Sequence, residues 1–435
     1  MMQVPQFPII NPPAKFNGDS APSFKDSVSS TFADNLSLPV HRWFKYSAGF
    51  SALWAREVIL REKANGRETI FEPFAGSGTV LLEGESCGLQ AIGVEAHPFI
   101  ARVAKAKLHW NADPQVFLNY AQSILTQAKA NSGDAANYAP LITKCFPVET
   151  IARLDSLRQA LQETADNSAT SELAWLALAS ILRGCSPVGT AQWQYILPNK
   201  SKAKTLDPLE AFASKVSLMA RDMMFCQAGT FETSAILHWE DARQCPSVPN
   251  AWADLIITSP PYANNYDYAD ATRLEMSFFG DIQGWGDLQE SVRKYLVRSC
   301  TQHVAKQNTE AILESPELEP IRSEIKEVCQ LLEIERLGHG GKKAYHSMIA
   351  AYFQDMAQTW TTLRRLTKDG ALVCFVIGDS APYGIHAPVD RWMGELALAA
   401  GFNSYRFEKT RDRNIKWKNR KHRIPLHEGR LWIEG

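Results

Sequence analysis

The stretch from residue 68 to residue 94 constrains the fold more than any other part of this chain. Its pattern predicts a strand, a glycine-containing turn, a helix ended by a glycine, and a second strand. In order, these are Glu68–Glu72, Pro73–Gly78, Thr79 to about Cys87 with Gly88, and Ala91–Val94. Two strands joined by one helix pair in parallel, and helices cover both faces of a parallel sheet. We therefore expect an α/β protein with a doubly wound sheet that binds ligands at the carboxyl ends of its strands.

The residues around this turn indicate what the ligand is. Gly76 and Gly78 permit tight backbone geometry, and the helix that follows offers free N–H groups. Glu95, after the second strand, can accept hydrogen bonds from both hydroxyls of a ribose. A dinucleotide site usually has a third glycine, but Leu81 stands at that position. Glu72 suits the cationic amino group of a methionine moiety better than a pyrophosphate, so a methyl donor is favoured.

A second strand-to-loop site is the stretch Thr258-Ser259-Pro260-Pro261-Tyr262, which follows the apolar run Asp254–Ile257. Proline lacks an N–H and fixes its own φ, so the predicted strand stops abruptly. Two prolines in succession stiffen the turn. They hold a hydroxyl group, backbone carbonyls and an aromatic face in a fixed relation, which suits a planar ligand that carries an amine.

The glycine turn, the following Gly93-Val94-Glu95-Ala96-His97-Pro98 and the Ser-Pro-Pro-Tyr stretch together resemble S-adenosylmethionine-dependent amino-methyltransferases. The Ser-Pro-Pro-Tyr form resembles the cytosine-N4 DNA methyltransferases in particular. The resemblance implies a class-I, Rossmann-like methyltransferase fold with helical insertions. It also implies that the segment from His41, just before the glycine turn, contacts the cofactor, with packing of its aromatic residues in the core as the alternative.

The same resemblance assigns roles to individual residues. The residues expected to bind S-adenosylmethionine are Glu72, Pro73, Phe74, Gly76, Gly78, Thr79, Glu95 and Asp241. For Asp241 the implied role is a hydrogen bond from the adenine amino group, although an aspartate here can equally cap the next turn. The catalytic residues are Ser259, Pro260, Pro261 and Tyr262.

An exocyclic amine is a poor nucleophile while its lone pair is delocalised into the ring. Acceptors at the Ser259 hydroxyl and the Pro260 carbonyl would bond both amine protons and favour a pyramidal nitrogen, while Tyr262 stacks on the base. Carbon-5 methylation needs a cysteine, normally preceded by proline, and none of the eight cysteines follows a proline. Adenine N6 methylation, an RNA substrate and a binding module without catalysis remain open alternatives.

The order of motifs predicts how the chain is divided. The long stretch between the glycine turn and Ser-Pro-Pro-Tyr is where the resembled group places recognition elements. The predicted parts are an arm (1–40), the cofactor-binding half (41–115), a mostly helical insert with possible target recognition (116–230), the catalytic half (231–280), a helical insert (281–343) and the remainder with a basic segment (344–435). Between residues 183 and 204 the helical pattern lapses, and for the basic run Lys200–Lys204 a solvated loop is expected, with a DNA-contacting role as the alternative.

Composition limits the partners. The net charge of −1 means that any nucleic-acid surface must be a local patch. The candidate phosphate contacts, with a solvated hairpin as the alternative, are Lys409, Arg411, Arg413, Lys416, Trp417, Lys418, Arg420 and Lys421. We expect double-stranded DNA as partner, a restriction endonuclease as a possible second partner, and a cytoplasmic location without a membrane span. The scattered cysteines indicate neither disulfides nor a zinc site, so no metal is expected.

Overall fold

The computed structural model describes residues 32–190, 195–229, 233–264, 267–304, 307–413 and 425–435. The strands are β1 (Thr69–Glu72), β2 (Gln90–Val94), β3 (Val188–Thr190), β4 (Ile196–Ser201), β5 (Ala235–His238), β6 (Ala253–Thr258), β7 (Thr367–Gly378), β8 (Ser404–Arg413) and β9 (Leu426–Glu434). The helices are α1 (Ala52–Ala64), α2 (Thr79–Ser86), α3 (Pro98–Leu108), α4 (Pro114–Ala130), α5 (Pro140–Cys145), α6 (Val148–Thr164), α7 (Ala169–Cys185), α8 (Pro208–Gln227), α9 (Tyr268–Ala271), α10 (Arg273–Phe279), α11 (Leu288–Ser291), α12 (Thr309–Leu313), α13 (Arg322–Gly338), α14 (Tyr345–Leu366) and α15 (Val389–Ala399).

Seven strands form one sheet in the order β5-β2-β1-β6-β7-β9-β8. The pairs from β5 to β7 are parallel, whereas β9 runs antiparallel to both of its neighbours. The chain moves outward from β1 to β2 and β5, and then returns to the other side of β1 with β6. The predicted α/β, Rossmann-like fold is therefore confirmed, and its topological switch point lies between β1 and β6.

The central strands are apolar on both faces because helices cover both sides of the sheet. In β6, Leu255 and Ile257 are buried with residues of α1 and α2, whereas the intervening Ile256 is buried with residues of α14 and α15. Successive side chains of a strand point to opposite faces, so one short apolar run supplies two separate cores. This double burial explains why the strands contain continuous rather than alternating apolar residues.

A third core lies in the helical part of the chain between β2 and β5. Helices α4, α6, α7 and α8 contribute most of its residues. Helix α7, which the sequence predicts to be buried, has apolar residues on every side and most of them are inaccessible to solvent. The helical character predicted for this region is present in the structure.

The expectation of a solvated loop at Lys200–Lys204 was wrong for Lys200 and Ser201, which belong to β4. Strands β3 and β4 form a separate two-stranded antiparallel sheet there. Val188 is buried in the helical core and Ile196 packs against it, so the ribbon has an apolar attachment that its glycine, proline and lysine content concealed. Residues 191–194, between the strands, lie outside the described part of the chain.

Two further observations concern the chain as a whole. All eight cysteines lie in the described residues and carry free thiols, and seven of them are buried. Across the described ranges, no helix combines the length and apolar character needed to cross a bilayer.

Candidate active site

The glycine turn follows β1 at the switch point of the sheet. Gly76 and Gly78 both have positive φ, at 51° and 84°, which residues with a Cβ rarely adopt. The turn is tied to β2 by a hydrogen bond from the Ala75 N–H to the Val94 carbonyl at 3.0 Å. Thr79 begins α2 directly after the turn, so the first N–H groups of that helix face the carboxyl edge of the sheet. Pro73 and Phe74 connect β1 to the turn.

Glu95 is held in place by the same turn. Its carboxylate accepts hydrogen bonds from the Gly76 N–H at 2.7 Å and from the His97 N–H at 2.8 Å, one on each oxygen. Burial raises the pKa of Glu95 to about 6, although these backbone donors act in the opposite direction. Each oxygen keeps a second lone pair, so the carboxylate is an oriented acceptor for two further donors.

Glu72, the last residue of β1, is almost completely buried, with 1% of its surface exposed. Its Oε2 atom has no hydrogen-bond partner among the described residues. Burial raises the pKa of Glu72 well above its usual range, and the nearby Glu95 adds to the shift. A buried, unpartnered carboxylate oxygen is costly unless a ligand supplies donors or a positive charge. The residues present therefore fit a ligand with a cationic group.

Tyr46 closes over the glycine turn. A Cβ atom added to Gly76 would lie 3.3 Å from Tyr46 Cε1, so the aromatic ring packs directly on the turn. The segment before Tyr46 is anchored to helices: Asp222 of α8 accepts from the Trp43 indole at 2.9 Å, and the buried Lys107 of α3 donates to the His41 carbonyl at 3.2 Å. The sequence predicted that this segment contacts the cofactor, but it did not single out Tyr46.

Asp241 follows β5 on the other side of Glu95. Its carboxylate accepts from the backbone N–H and the guanidinium of Arg243, and its carbonyl accepts from the next turn. Arg243 in turn bonds Asp355 of α14 at 2.9 Å. The structure therefore places Asp241 in a capping and ion-pairing position. Its role toward an adenine amino group stays a prediction.

The Ser-Pro-Pro-Tyr stretch follows β6, the neighbour of β1. The Ser259 hydroxyl donates to the Val376 carbonyl of β7 at 3.0 Å. Because the proton of the hydroxyl is used in this bond, the lone pairs of Ser259 Oγ remain for an incoming donor. Pro260 is buried and Pro261 is half-buried, so the backbone at this turn is well fixed.

Tyr262 lies under an arginine. The Arg413 guanidinium is 5.2 Å from the centre of the Tyr262 ring, and its Nη1 atom donates to the Asp379 carbonyl at 2.7 Å. A Cβ atom on Gly378 would lie 3.0 Å from Tyr262 Cε2, so the ring also packs closely against the end of β7. One face of the Tyr262 ring is thus covered by the guanidinium.

Strand pairing brings the two halves of the predicted site together. Ile70 and Phe71 of β1 are in register with Leu255 and Ile256 of β6, so the glycine turn and Ser259 leave the sheet at adjacent points. Burial raises the pKa of both Tyr46 and Tyr262, and the Tyr268 phenol adds to both shifts. Tyr268 had no signal in the sequence beyond its position after the motif.

Several named proteins have amino-acid sequences similar to that of this chain. The chain is similar to Type II methyltransferases. Type II methyltransferase M.AvaI, from Nostoc sp. (strain PCC 7120) and from Anabaena variabilis, is 27% identical over 402 residues, which cover 86% of this chain and 81% of each relative. Type II methyltransferase M.BsoBI from Geobacillus stearothermophilus is 24% identical over 416 residues, covering 86% of this chain and 80% of the relative. No family model matches the chain.

A cavity of about 560 Å³ opens beside the loop that follows β2. Pro98, Phe99, Trp239 and Tyr295 are among its lining residues. The Trp239 indole donates to the Ala96 carbonyl at 3.0 Å, so this wall of the cavity is fixed to the loop that carries Glu95. The lining also includes the charged residues Arg102, Lys105, Glu172 and Asp281, so the cavity combines aromatic and charged walls.

The predicted basic patch is described only in part. Lys409 pairs with Asp412 at 2.6 Å and Arg411 pairs with Glu428 at 2.8 Å, while Arg413 covers Tyr262. These three cations therefore have acidic, carbonyl or aromatic partners within the chain. The remaining candidates, Lys416, Trp417, Lys418, Arg420 and Lys421, lie outside the described residues.

Proposed function

We propose that this protein is a site-specific DNA methyltransferase that transfers the methyl group of S-adenosylmethionine to the N4 amine of cytosine. The observation that carries the proposal is the Ser259 hydroxyl, an acceptor fixed by Val376 beside the turn that bears Gly76 and faces Glu95. Similarity to Type II methyltransferases over most of the chain supports DNA as the substrate.

The cofactor would be held by residues at the carboxyl ends of β1 and β2. Glu72 would pair its free Oε2 with the methionine ammonium group, and Glu95 would accept from the ribose hydroxyls. The positive φ of Gly76 and Gly78 would let the backbone approach the ligand, and Tyr46, which packs on Gly76, would lie beside it. When bound, S-adenosylmethionine supplies an electrophilic methyl group on a sulfonium.

The target amine would be activated only by its placement and by hydrogen bonds to fixed acceptors. Ser259 Oγ and the Pro260 carbonyl would accept the two amine protons, which localises the nitrogen lone pair toward the cofactor side of the site. Tyr262 would stack on the base and hold its plane. Because stacking on the covered face requires Arg413 to move, we propose that this guanidinium is displaced by the base or that the base takes the other face of the ring.

A base inside a duplex does not expose its amine to this turn. The target nucleotide must therefore rotate out of the helix, which costs a few kcal/mol that stacking on Tyr262 partly returns. The rings of Tyr46, on the glycine turn, and Tyr262, packed against the end of β7, would be the aromatic surfaces nearest to such a base.

The product is the direct test of the proposal. DNA from cells that express the protein is expected to contain N4-methylcytosine, measured by mass spectrometry of nucleosides, whereas cells expressing Tyr262→Ala should yield much less because base placement is impaired. N6-methyladenine in place of N4-methylcytosine would assign the protein to adenine. Modified nucleosides in RNA alone would contradict a DNA substrate.

We further propose that the region 116–230 recognises the target sequence through the β3–β4 ribbon. Residues 184–206 contain three lysines and no acidic residue, in a chain of net charge −1. The ribbon is hydrogen-bonded to the segment that follows the Ser-Pro-Pro-Tyr stretch, because the Asp267 N–H donates to the Tyr195 hydroxyl at 2.7 Å. A two-stranded ribbon fits the major groove, and exposed lysines can bind the flanking phosphates.

Removing the two exposed ribbon lysines tests this assignment. Lys200→Gln with Lys204→Gln is expected to weaken DNA binding and to reduce the slope of log affinity against log salt by about 0.9 for each phosphate that is no longer neutralised. Fluorescence anisotropy over a salt series measures both quantities. The control is Lys129→Gln with Lys144→Gln, two exposed lysines on α4 and α5. If wild type, the ribbon variant and the control variant have the same affinity and slope, the ribbon lysines do not contact DNA.

The cognate endonuclease, the cytoplasmic location and the phosphate-binding role of the segment from Lys409 to Lys421 remain predictions from the sequence. The same salt series with Lys416, Lys418 and Lys421 replaced by glutamine tests the segment separately from the ribbon.

A further inference from the structure

A cluster of carboxylates and imidazoles lies just beyond the end of β7. Asp379 follows the last residue of β7, His386 is in the next loop, Asp390 is in the first turn of α15, and His427 is in β9. The residues come from four separate positions in the chain. This separation explains why spacing in the sequence indicated no metal site.

The distances in the cluster are short. Asp379 Oδ2 is 2.8 Å from His427 Nδ1 and 3.3 Å from His386 Nε2. Ligand atoms of Asp379, Asp390 and His427 all lie within 4.8 Å of one another. The Asp379 N–H also donates to the His427 carbonyl at 3.0 Å, which fixes the two residues relative to each other.

These contacts are not aligned as hydrogen bonds. Asp379 is buried, with 3% of its surface exposed, yet neither of its carboxylate oxygens has a hydrogen-bond partner of acceptable geometry among the described residues. The His386 Nε2 atom is also buried and also has no hydrogen-bond partner among the described residues. A buried carboxylate that faces imidazole nitrogens without aligned N–H donors lacks the compensation that burial of a charge requires.

A bound cation would supply that compensation. Zn²⁺ binds imidazole nitrogen and carboxylate oxygen at about 2.0–2.2 Å, so neighbouring donor atoms on one tetrahedral ion are separated by about 3.3–3.6 Å. The separations of 3.3 Å between Asp379 and His386 and of 3.5 Å between Asp390 Oδ2 and His427 Nε2 match this range, whereas the 2.8 Å between Asp379 and His427 Nδ1 is shorter. We propose that Asp379, Asp390 and His427, with His386 beside them, bind one divalent transition-metal ion, and that Zn²⁺ fits this donor set best.

A second cluster provides an internal contrast. Asp267, Cys300 and His303 also lie within ligand distance of one another. There, however, the Arg293 guanidinium bonds Asp267 Oδ2 at 2.5 and 3.0 Å, so the carboxylate already has a cation. The Asp379 carboxylate, by contrast, pairs with imidazoles and with no guanidinium or ammonium group among the described residues, and Asp390 and His427 remain partly exposed, which leaves a path for an ion.

Metal binding here would stabilise one wall of the candidate active site. The ion would join the end of β7, the start of α15 and the start of β9. Gly378, next to Asp379, packs against Tyr262, and the Asp379 carbonyl holds Arg413. The proposed role is structural, and it does not depend on the identity of the methylated base.

The test uses the full chain, stripped with a chelator and then titrated with Zn²⁺ alone. Calorimetry and elemental analysis should give one Zn²⁺ per chain, and Zn²⁺ should raise the melting temperature by at least about 3 °C. Asp379→Asn and His427→Gln should each weaken binding by at least about 100-fold, more than removal of an outer-shell partner costs. The control is His339→Gln, an exposed histidine that pairs only with Glu335 among carboxylates of the described chain.

Two results would overturn the proposal. One is the absence of stoichiometric Zn²⁺ binding to the folded wild-type chain. The other is binding by Asp390→Asn and His427→Gln, each shown to be folded by circular dichroism, with the same affinity as wild type.

Discussion

Replacement of Ser259 by alanine is expected to lower the rate of methyl transfer by about a hundredfold while cofactor affinity stays unchanged. The hydroxyl proton is bonded to the Val376 carbonyl, so the oxygen serves the incoming amine only as an acceptor. Removal of one such preorganised polar group from an active site typically reduces kcat by about 10²–10³-fold. Single-turnover methylation of a DNA duplex measures the rate, and calorimetry measures the affinity for S-adenosylmethionine.

The matched control for this variant is Ser180→Ala. The Ser180 hydroxyl likewise donates to a backbone carbonyl, that of Ala177 at 2.8 Å, but it lies in α7. Its removal should leave the rate unchanged, which separates loss of an acceptor at the target from loss of a hydrogen bond in general. A rate for Ser259→Ala within threefold of wild type would show that the hydroxyl has no part in activating the amine.

Replacement of Glu95 by alanine should weaken S-adenosylmethionine binding by about 10- to 150-fold. The carboxylate is oriented by Gly76 and His97 so that its remaining lone pairs accept from the ribose, and hydrogen bonds to a charged group are worth about 1.5–3 kcal/mol. Calorimetric titration measures the change. Glu57→Gln, an exposed glutamate on α1, is the control. Unchanged affinity in Glu95→Ala would remove the ribose assignment.

The same residue predicts a pH dependence. Burial raises the pKa of Glu95 to about 6, so the carboxylate is ionised above that pH and protonated below it. Because the ionised form is the better acceptor, cofactor affinity should fall as the pH drops from 7 to 5. His97 stays neutral over this range, since burial lowers its pKa to about 4. In the Glu95→Gln variant the contribution of Glu95 to this pH dependence is removed, so any that remains would come from Glu72, which is buried nearby. A flat wild-type profile would contradict the role of Glu95.

The parts of the fold that are encoded in consecutive residues were predictable. The strand, turn, helix and strand from residue 69 to residue 94 and the strand before Ser259 are in the structure nearly as the sequence indicates. Their signals are local, because glycine permits positive φ, proline ends a strand, and apolar runs mark strands buried on both faces. The doubly wound topology was also expected, although the expectation did not specify that β6 would pair with β1.

The contacts made by distant residues were not predictable from spacing. Tyr46 sits on Gly76 only because Asp222 and Lys107 hold the preceding segment. Arg413 covers Tyr262 from a strand about 150 residues later. The β3–β4 ribbon was missed because its polar and glycine-rich composition resembles that of a loop, and its stabilising contact, Val188 in the helical core, is tertiary.

The position of β1 beside β6 also determines how the chain must fold. The Thr69 N–H bonds Asp254 across a separation of 185 residues, so the middle of the sheet closes a very long loop. Closure entropy rises only slowly with loop length, but contacts so distant form late compared with those inside helical hairpins. The helices between the two strands share a core, so we expect their collapse to shorten the effective loop before the strands meet. On this expectation the insert acts as a folding scaffold that brings the two edges of the active site within reach of each other.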